Sequence, residues 1–154
     1  MALNSMQEGN DMKRILLIAS LLLISPLCNG QIAGRGLYCE TDLTKARNIG
    51  IYFSPEYVEE IMVRQQRDAF TLKTEIMSDD YYPDSDSIRW FSGDYTYVFH
   101  RKTGFFTRTI YKYNHTDEFN CRVTSNREEL MNIMIEFKDY LQDTYDKARE
   151  GNIL

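Results

Sequence analysis

The chain has 154 residues, a net charge of −5 and 13% aromatic residues. That length accommodates one small domain, and the acidic balance argues against a nucleic-acid binder, which presents a basic face. The many tyrosines and phenylalanines favour half-buried pleated surfaces, and so a β-rich domain.

Residues 1–30 read as an N-terminal extension followed by a secretory signal. Lys13-Arg14 supplies the positive start, Ile15 to Ile24 is an uninterrupted run of ten residues, apolar but for Ser20, and Ser25-Pro26 breaks any helix there. Cys28-Asn29-Gly30 then places small residues at the −3 and −1 positions of a cut before Gln31. The run is shorter than the roughly 20 residues that cross a bilayer, so cleavage near Gly30 is expected rather than a retained anchor. Leu27 fits poorly before an acylated Cys28, which weighs against a lipoprotein. Met12 is a more natural start than Met1. The domain is then residues 31–154, which keep the net charge of −5.

Along that domain, Leu37-Tyr38-Cys39 and Ile49 to Phe53 read as two short strands. Residues 54–66 read either as a helix capped by Ser54 with Pro55 in its first turn, or as a turn and then a strand. Val58, Ile61 and Val63 make no 3.6-residue stripe, so a turn at Ser54-Pro55 and a strand near Glu60 to Arg64 are favoured. Gln65-Gln66-Arg67-Asp68 looks like a polar turn, and Ala69 to Met77 like a further strand. Ser87 to Phe91 places Ile88 and Trp90 on one face.

The clearest hairpin joins Asp94–His100 to Phe105–Tyr113. Tyr95, Tyr97 and Phe99 alternate with Thr96, Val98 and His100, and Phe106, Arg108, Ile110 and Lys112 share one face of the second strand. Gly104 closes the turn Arg101-Lys102-Thr103-Gly104, where a residue tolerating positive φ is needed. Both faces of the hairpin are partly apolar, which places it inside a sheet. Glu118 to Val123 makes the last strand. The period then changes. Ser125-Asn126-Arg127-Glu128 forms a capping box with Ser125 as the cap, and Leu130, Ile133, Met134, Phe137, Leu141, Tyr145 and Ala148 make an amphipathic helix over about 125–150. Its apolar stripe is expected to pack on the domain's own sheet.

The chemistry-bearing residues are sparse. His100 and His115 are the only histidines and have no third ligand at zinc spacing. No nucleophile motif occurs. The acidic run Ser78 to Ser87 lacks the glycine and closing glutamate of a calcium loop and reads as a solvated turn. Arg101-Lys102 reads as a charged turn rather than a stacking platform for nucleic acid. Asn114-His115-Thr116 matches a glycosylation acceptor, relevant only in a eukaryotic secretory pathway. Paired carboxylates for hydrolysis need only meet in space, and no pair can be nominated. No catalytic, cofactor or metal residue is therefore assigned. Of three cysteines, Cys28 leaves with the leader. Cys39 and Cys121, 82 positions apart, are expected to form a structural disulfide in an oxidising compartment, joining the two ends of the sheet.

The order Leu37-Tyr38-Cys39, Ile88-Arg89-Trp90, Tyr97-Val98-Phe99-His100-Arg101-Lys102-Thr103-Gly104 and Phe119-Asn120-Cys121, followed by the C-terminal helix, resembles a loose group of short secreted proteins from marine bacteria. They share an I-x-W, a Y-x-hydrophobic-x-R-K-T hairpin and an F/Y-x-C strand. Phe99-His100 stands before Arg101 where that group would have a Leu-Asn or Leu-Asp pair. The resemblance implies a fold and transfers no active site.

The sequence thus predicts a mostly β (α+β) domain: an antiparallel, curved or barrel-like sheet of about seven or eight strands with one C-terminal helix packed on it. The expected function is an exported envelope or periplasmic, non-enzymatic module that binds a small ligand or another envelope protein, without cofactor and without nucleic acid. The alternatives are a carboxylate-dependent hydrolase and a protein tethered by its leader.

Overall fold

The computed structural model describes residues 32–41 and 47–151. The leader, its cleavage point and Cys28 lie outside them. Nine strands follow in chain order: β1 Gly36–Glu40, β2 Ile49–Phe53, β3 Val58–Gln66, β4 Ala69–Ser78, β5 Tyr82–Pro83, β6 Ser87–Ser92, β7 Tyr95–His100, β8 Phe105–Ile110 and β9 His115–Thr124. One helix, α1 Arg127–Gly151, ends the described chain. The strands form a single sheet in the order β4-β3-β2-β1-β9-β8-β7-β6-β5, with every neighbour antiparallel. It curls into a half-barrel that brings β4 towards β6.

The strand count exceeds the seven or eight expected because the acidic run contains the two-residue strand β5. Asp84 shapes that run. Its carboxylate accepts from the backbone N–H groups of Asp86 and Ser87, at 2.8 and 2.6 Å, and from the Ser87 hydroxyl. These bonds hold its carboxyl below the ordinary value. The basic turn Arg101-Lys102 docks here, through Arg101 Nη1 on the Asp84 carbonyl and Lys102 Nζ on Asp86.

Alternation assigns the two faces. Leu37, Cys39, Ile49, Ile51, Phe53, Val58, Ile88, Trp90, Tyr97, Phe99, Phe106 and Phe119 point into the curl and form its core. Trp90 stacks on Tyr97 and Phe106, at 5.2 and 5.6 Å between ring centroids, and meets Phe53 edge-on. Aromatic contacts of this kind add about 0.5–1.5 kcal/mol each beyond the buried area.

The convex face of β1–β4 carries the helix. Leu130, Met134 and Phe137 bury against Tyr38 and Ile61, with Tyr52, Val63 and Leu72 alongside. Gly36 and Gly50 let the helix approach closely, since a Cβ at Gly36 would stand 3.1 Å from Leu130 Cβ. Further along, Gln142 spans the β3–β4 turn, accepting from Phe70 N–H and donating to the Asp68 carbonyl. Tyr145 and Arg149 reach the Asp68 carboxylate.

Four local expectations need correction. The capping box is displaced by one residue: Asn126 Oδ1 accepts from Glu129 N–H, and Glu129 Oε2 accepts from Ser125 N–H. Asn caps as well as Ser. The second hairpin strand stops at Ile110, where a 3-10 turn, Tyr111–Tyr113, and Asn114 at φ 47 reverse the chain. His115 accordingly begins β9 rather than lying in a loop. Finally, the Cys39–Cys121 disulfide forms, but not between the sheet's edges. β1 and β9 are adjacent at its centre, and Cys39 and Cys121 are direct register partners. The first and last strands pair with each other, so the ends of the domain meet in mid-sheet.

Residues 54–66 resolve as a turn and strand: Ser54 and Tyr57 close the turn and β3 runs to Gln66. Gly104 has φ 70, as the hairpin requires.

Candidate functional site

Beside the aromatic core, β2 and β3 face β7, β8 and β9 across the curl. There a cavity of about 370 Å³ is lined by Arg47, Asn48, Ile49, Met62, Val63 and Arg64 on one wall, and by Tyr95, Arg108, Ile110 and Asp117 on the other. Strand register places them. Ile49 pairs with Met62, Tyr95 with Ile110, and Arg108 with both Tyr97 and Asp117.

Arg108 is the centre of the site. Its Nε and Nη2 donate to Asp117 Oδ2 at 3.0 and 2.7 Å, and its guanidinium lies 5.9 Å from the Tyr95 ring centre and 5.7 Å from that of Phe119. Nη1 approaches Glu60 Oε1 at 3.6 Å. Asp117 Oδ1 meets His115 Nε2 at 3.1 Å. Burial alone would raise the Asp117 carboxyl; the bonds and charge of Arg108, with His115, overcome this and hold it below its ordinary value.

Glu60 behaves in the opposite way. It lies inside the curl behind Arg108, 4% exposed, and Oε1 has no hydrogen-bond partner among the described residues. Burial raises its carboxyl; Arg108 opposes, Glu75 across the β3–β4 ladder adds to the rise, and Arg64 and Lys73 oppose it. The Tyr97 phenol is pushed up by burial and then by the charge of Glu60. Asn48 is also buried, and its Nδ2 donates to Tyr38 Oη at 2.8 Å while Oδ1 has no partner among the described residues. The Tyr38 hydroxyl donates in turn to Glu40, which fixes Asn48 Nδ2 as the donor to Oη.

Several residues singled out in the sequence lie elsewhere. His100 is on the convex face beside Phe105, the acidic run is an edge turn, and Cys39 and Cys121 are bonded to each other. Among the described residues no group of three or more His, Cys, Asp or Glu is placed to hold a metal. A second groove, of about 480 Å³, runs outside between β9 and α1. Its Asn126 and Glu129 are already engaged in capping the helix, and Ile133 is the one apolar side chain on it. The mouth of the half-barrel is therefore the better candidate.

Reasoning from sequence did not find this site. A usable signal was the phase of Arg108, in step with Phe106 and Ile110 on the inward face. No family model, curated protein or solved structure matches the chain. The disulfide fits an exported protein, and no helix among the described residues is long and apolar enough to cross a membrane.

Proposed function

We propose that the protein is a non-enzymatic binding module of the cell envelope, exported after cleavage near Gly30, which holds a small ligand in the mouth of its half-barrel. The observation that carries the reading is the cavity itself. It is concave, sits at the lower end of the usual size range for ligand sites, and sets the apolar side chains of Ile49, Met62, Val63 and Ile110 among six polar or charged ones. Arg108 is held between two rings and a carboxylate, so it is positioned before any ligand arrives.

A hydrolase reading would use Glu60 and Asp117 as its carboxylate pair. Glu60 stands behind Arg108 and off the cavity wall, and both Asp117 oxygens are engaged by Arg108 and His115. Neither is offered to a bound substrate as an acid or base, which favours binding over catalysis.

Nuclear magnetic resonance of the oxidised protein against a library of small metabolites tests this. Hits should perturb Met62, Tyr95 and Ile110, and Ile110→Trp, which fills the cavity, should abolish them. Tyr82 and Phe91 form an exposed ring pair on β5 and β6, 6.3 Å apart, and hits confined to it would sink the proposal. The mass of the exported chain tests cleavage: a product retaining residues 15–24 would refute it.

A further inference from the structure

The charge of the cavity runs against that of the chain. The protein carries −5 overall, yet the cavity wall has three arginines, Arg47, Arg64 and Arg108, to one carboxylate, Asp117. Asp117 and the buried Glu60 both face Arg108, and the cationic side chains at the mouth itself are Arg47 and Arg64. Both sit where a ligand would enter: Arg64 is exposed and lies over Met62, with Nη2 at 3.5 Å from its sulfur. An apolar, low-dielectric wall focuses such a field and selects for the opposite charge.

The remaining wall is not that of a phosphate site. Ile49, Met62, Val63 and Ile110 are aliphatic or thioether surfaces, and the Tyr95 ring is 36% exposed at the rim. An inorganic anion would leave these surfaces uncovered, while a neutral apolar molecule would leave the charges of Arg47 and Arg64 at the rim without a complement. A molecule with an apolar or aromatic body and one anionic end satisfies both. Arginine's planar fork matches a carboxylate in particular.

We infer that the ligand class is a small organic carboxylate with an apolar or aromatic body, its carboxylate held by Arg64 and Arg47 at the rim and its body against Tyr95, Ile110 and Met62. This rests on the small-ligand reading above and narrows it.

The test uses four probes on the oxidised full-length protein: benzoate, hexanoate, benzyl alcohol and inorganic phosphate, each titrated at millimolar concentration while amide shifts are followed. Benzoate or hexanoate should shift Met62, Arg64, Tyr95 and Ile110, and benzyl alcohol and phosphate should not. Arg64→Gln, at an exposed position that leaves the fold intact, should weaken carboxylate binding about tenfold, the loss expected for one charge-assisted hydrogen bond. Adding Arg47→Gln should weaken it further and remove its dependence on salt. Benzyl alcohol binding as well as benzoate, with Arg64→Gln without effect, would overturn the carboxylate assignment and leave the small-ligand reading standing. Phosphate alone shifting the arginines would also overturn it. If none of the four probes moves a cavity amide while the metabolite library does, the assignment falls by itself; if the library also fails, both fall.

Discussion

Glu59 and Glu60 are consecutive in β3 and meet arginines on opposite faces of the sheet. Glu59 faces the helix, where its two oxygens accept from Arg127 Nε and Nη2 at 2.7 and 2.9 Å. Glu60 faces the curl, where Arg108 comes only to 3.6 Å and makes no hydrogen bond to it. A buried carboxylate in a two-pronged fork recovers much of its desolvation cost; one that is merely near a cation does not. The two neighbours should therefore respond differently to the same change.

Glu59→Gln breaks the fork that ties the start of α1 to β3. A loss of about 1–2 kcal/mol is expected, in the range for hydrogen bonds to charged groups with one partner partly exposed. Glu60→Gln removes a buried charge and leaves Arg108 paired with Asp117, so stability at neutral pH should hold or rise. Urea midpoints of the two variants check this, and an equal loss in both would refute the distinction.

The pH dependence of Glu60 follows from the same geometry. Burial raises its carboxyl in the folded protein above the ordinary 4.5, against Arg108, Arg64 and Lys73 and with Glu75. The native state then holds the proton more readily than the unfolded chain. Its contribution to stability is fully present below 4.5 and is lost as pH rises through the raised native value. Glu60→Gln should flatten the decline in melting temperature between pH 4.5 and neutrality. An unchanged slope would show that another group carries it.

Asp117 has the opposite sign. Its folded carboxyl is held below the ordinary 3.8, so it stabilises above that pH and the benefit disappears as pH falls through the lowered native value. Asp117→Asn should cost about 2–3 kcal/mol near neutrality by removing the charge that the short bonds of a largely buried guanidinium rest on. The variant should also lack this part of the acid-induced loss. A variant as stable as the parent would mean that Glu60 can take over Arg108 completely.

The strands, the helix and the disulfide were legible because each has a local or compositional signature: alternation, a three- and four-residue stripe, and an even cysteine pair beyond residue 30. The site was not. Glu59-Glu60 reads as solvated polar surface, and nothing near it in sequence announces that Glu60 turns inward. Arg108 and Asp117 are nine positions apart and meet only because the 3-10 turn and Asn114 set the β8–β9 register. Likewise, Gln142 and Asp68 meet only once α1 crosses the sheet. The centre position of β1 against β9 is a property of the whole topology, which no local pattern encodes.

Gly93 and Gly104 separate backbone strain from contact. Both have positive φ, 56 and 70. A Cβ at Gly93 meets nothing within 4 Å, whereas one at Gly104 would stand 2.7 Å from the Cys121 carbonyl oxygen. Gly93→Ala should cost about 1 kcal/mol, the strain of a left-handed residue. Gly104→Ala should cost about 3 kcal/mol, because overpacking is added and the Cys121 N–H bond to the Gly104 carbonyl is disturbed. Equal losses would show that the hairpin yields freely to the new methyl group.

The disulfide is the last test, and its place at mid-sheet changes what its loss should do. Bridging residues 82 positions apart stabilises by roughly 4–5 kcal/mol in the chain-entropy model, comparable with the net stability of a small domain. Because Cys39 and Cys121 are register partners, cutting the bond weakens the β1–β9 pairing, where the two halves of the sheet are hydrogen-bonded to each other. Cys39→Ser should therefore lower stability by that amount and expose amides of β1 and β9 to hydrogen exchange before those of β6–β8. Cys39 is fully buried, so reduction of the native protein should be slow and should track opening of this seam. Fast alkylation of two thiols in the untreated protein would show that the bond is absent.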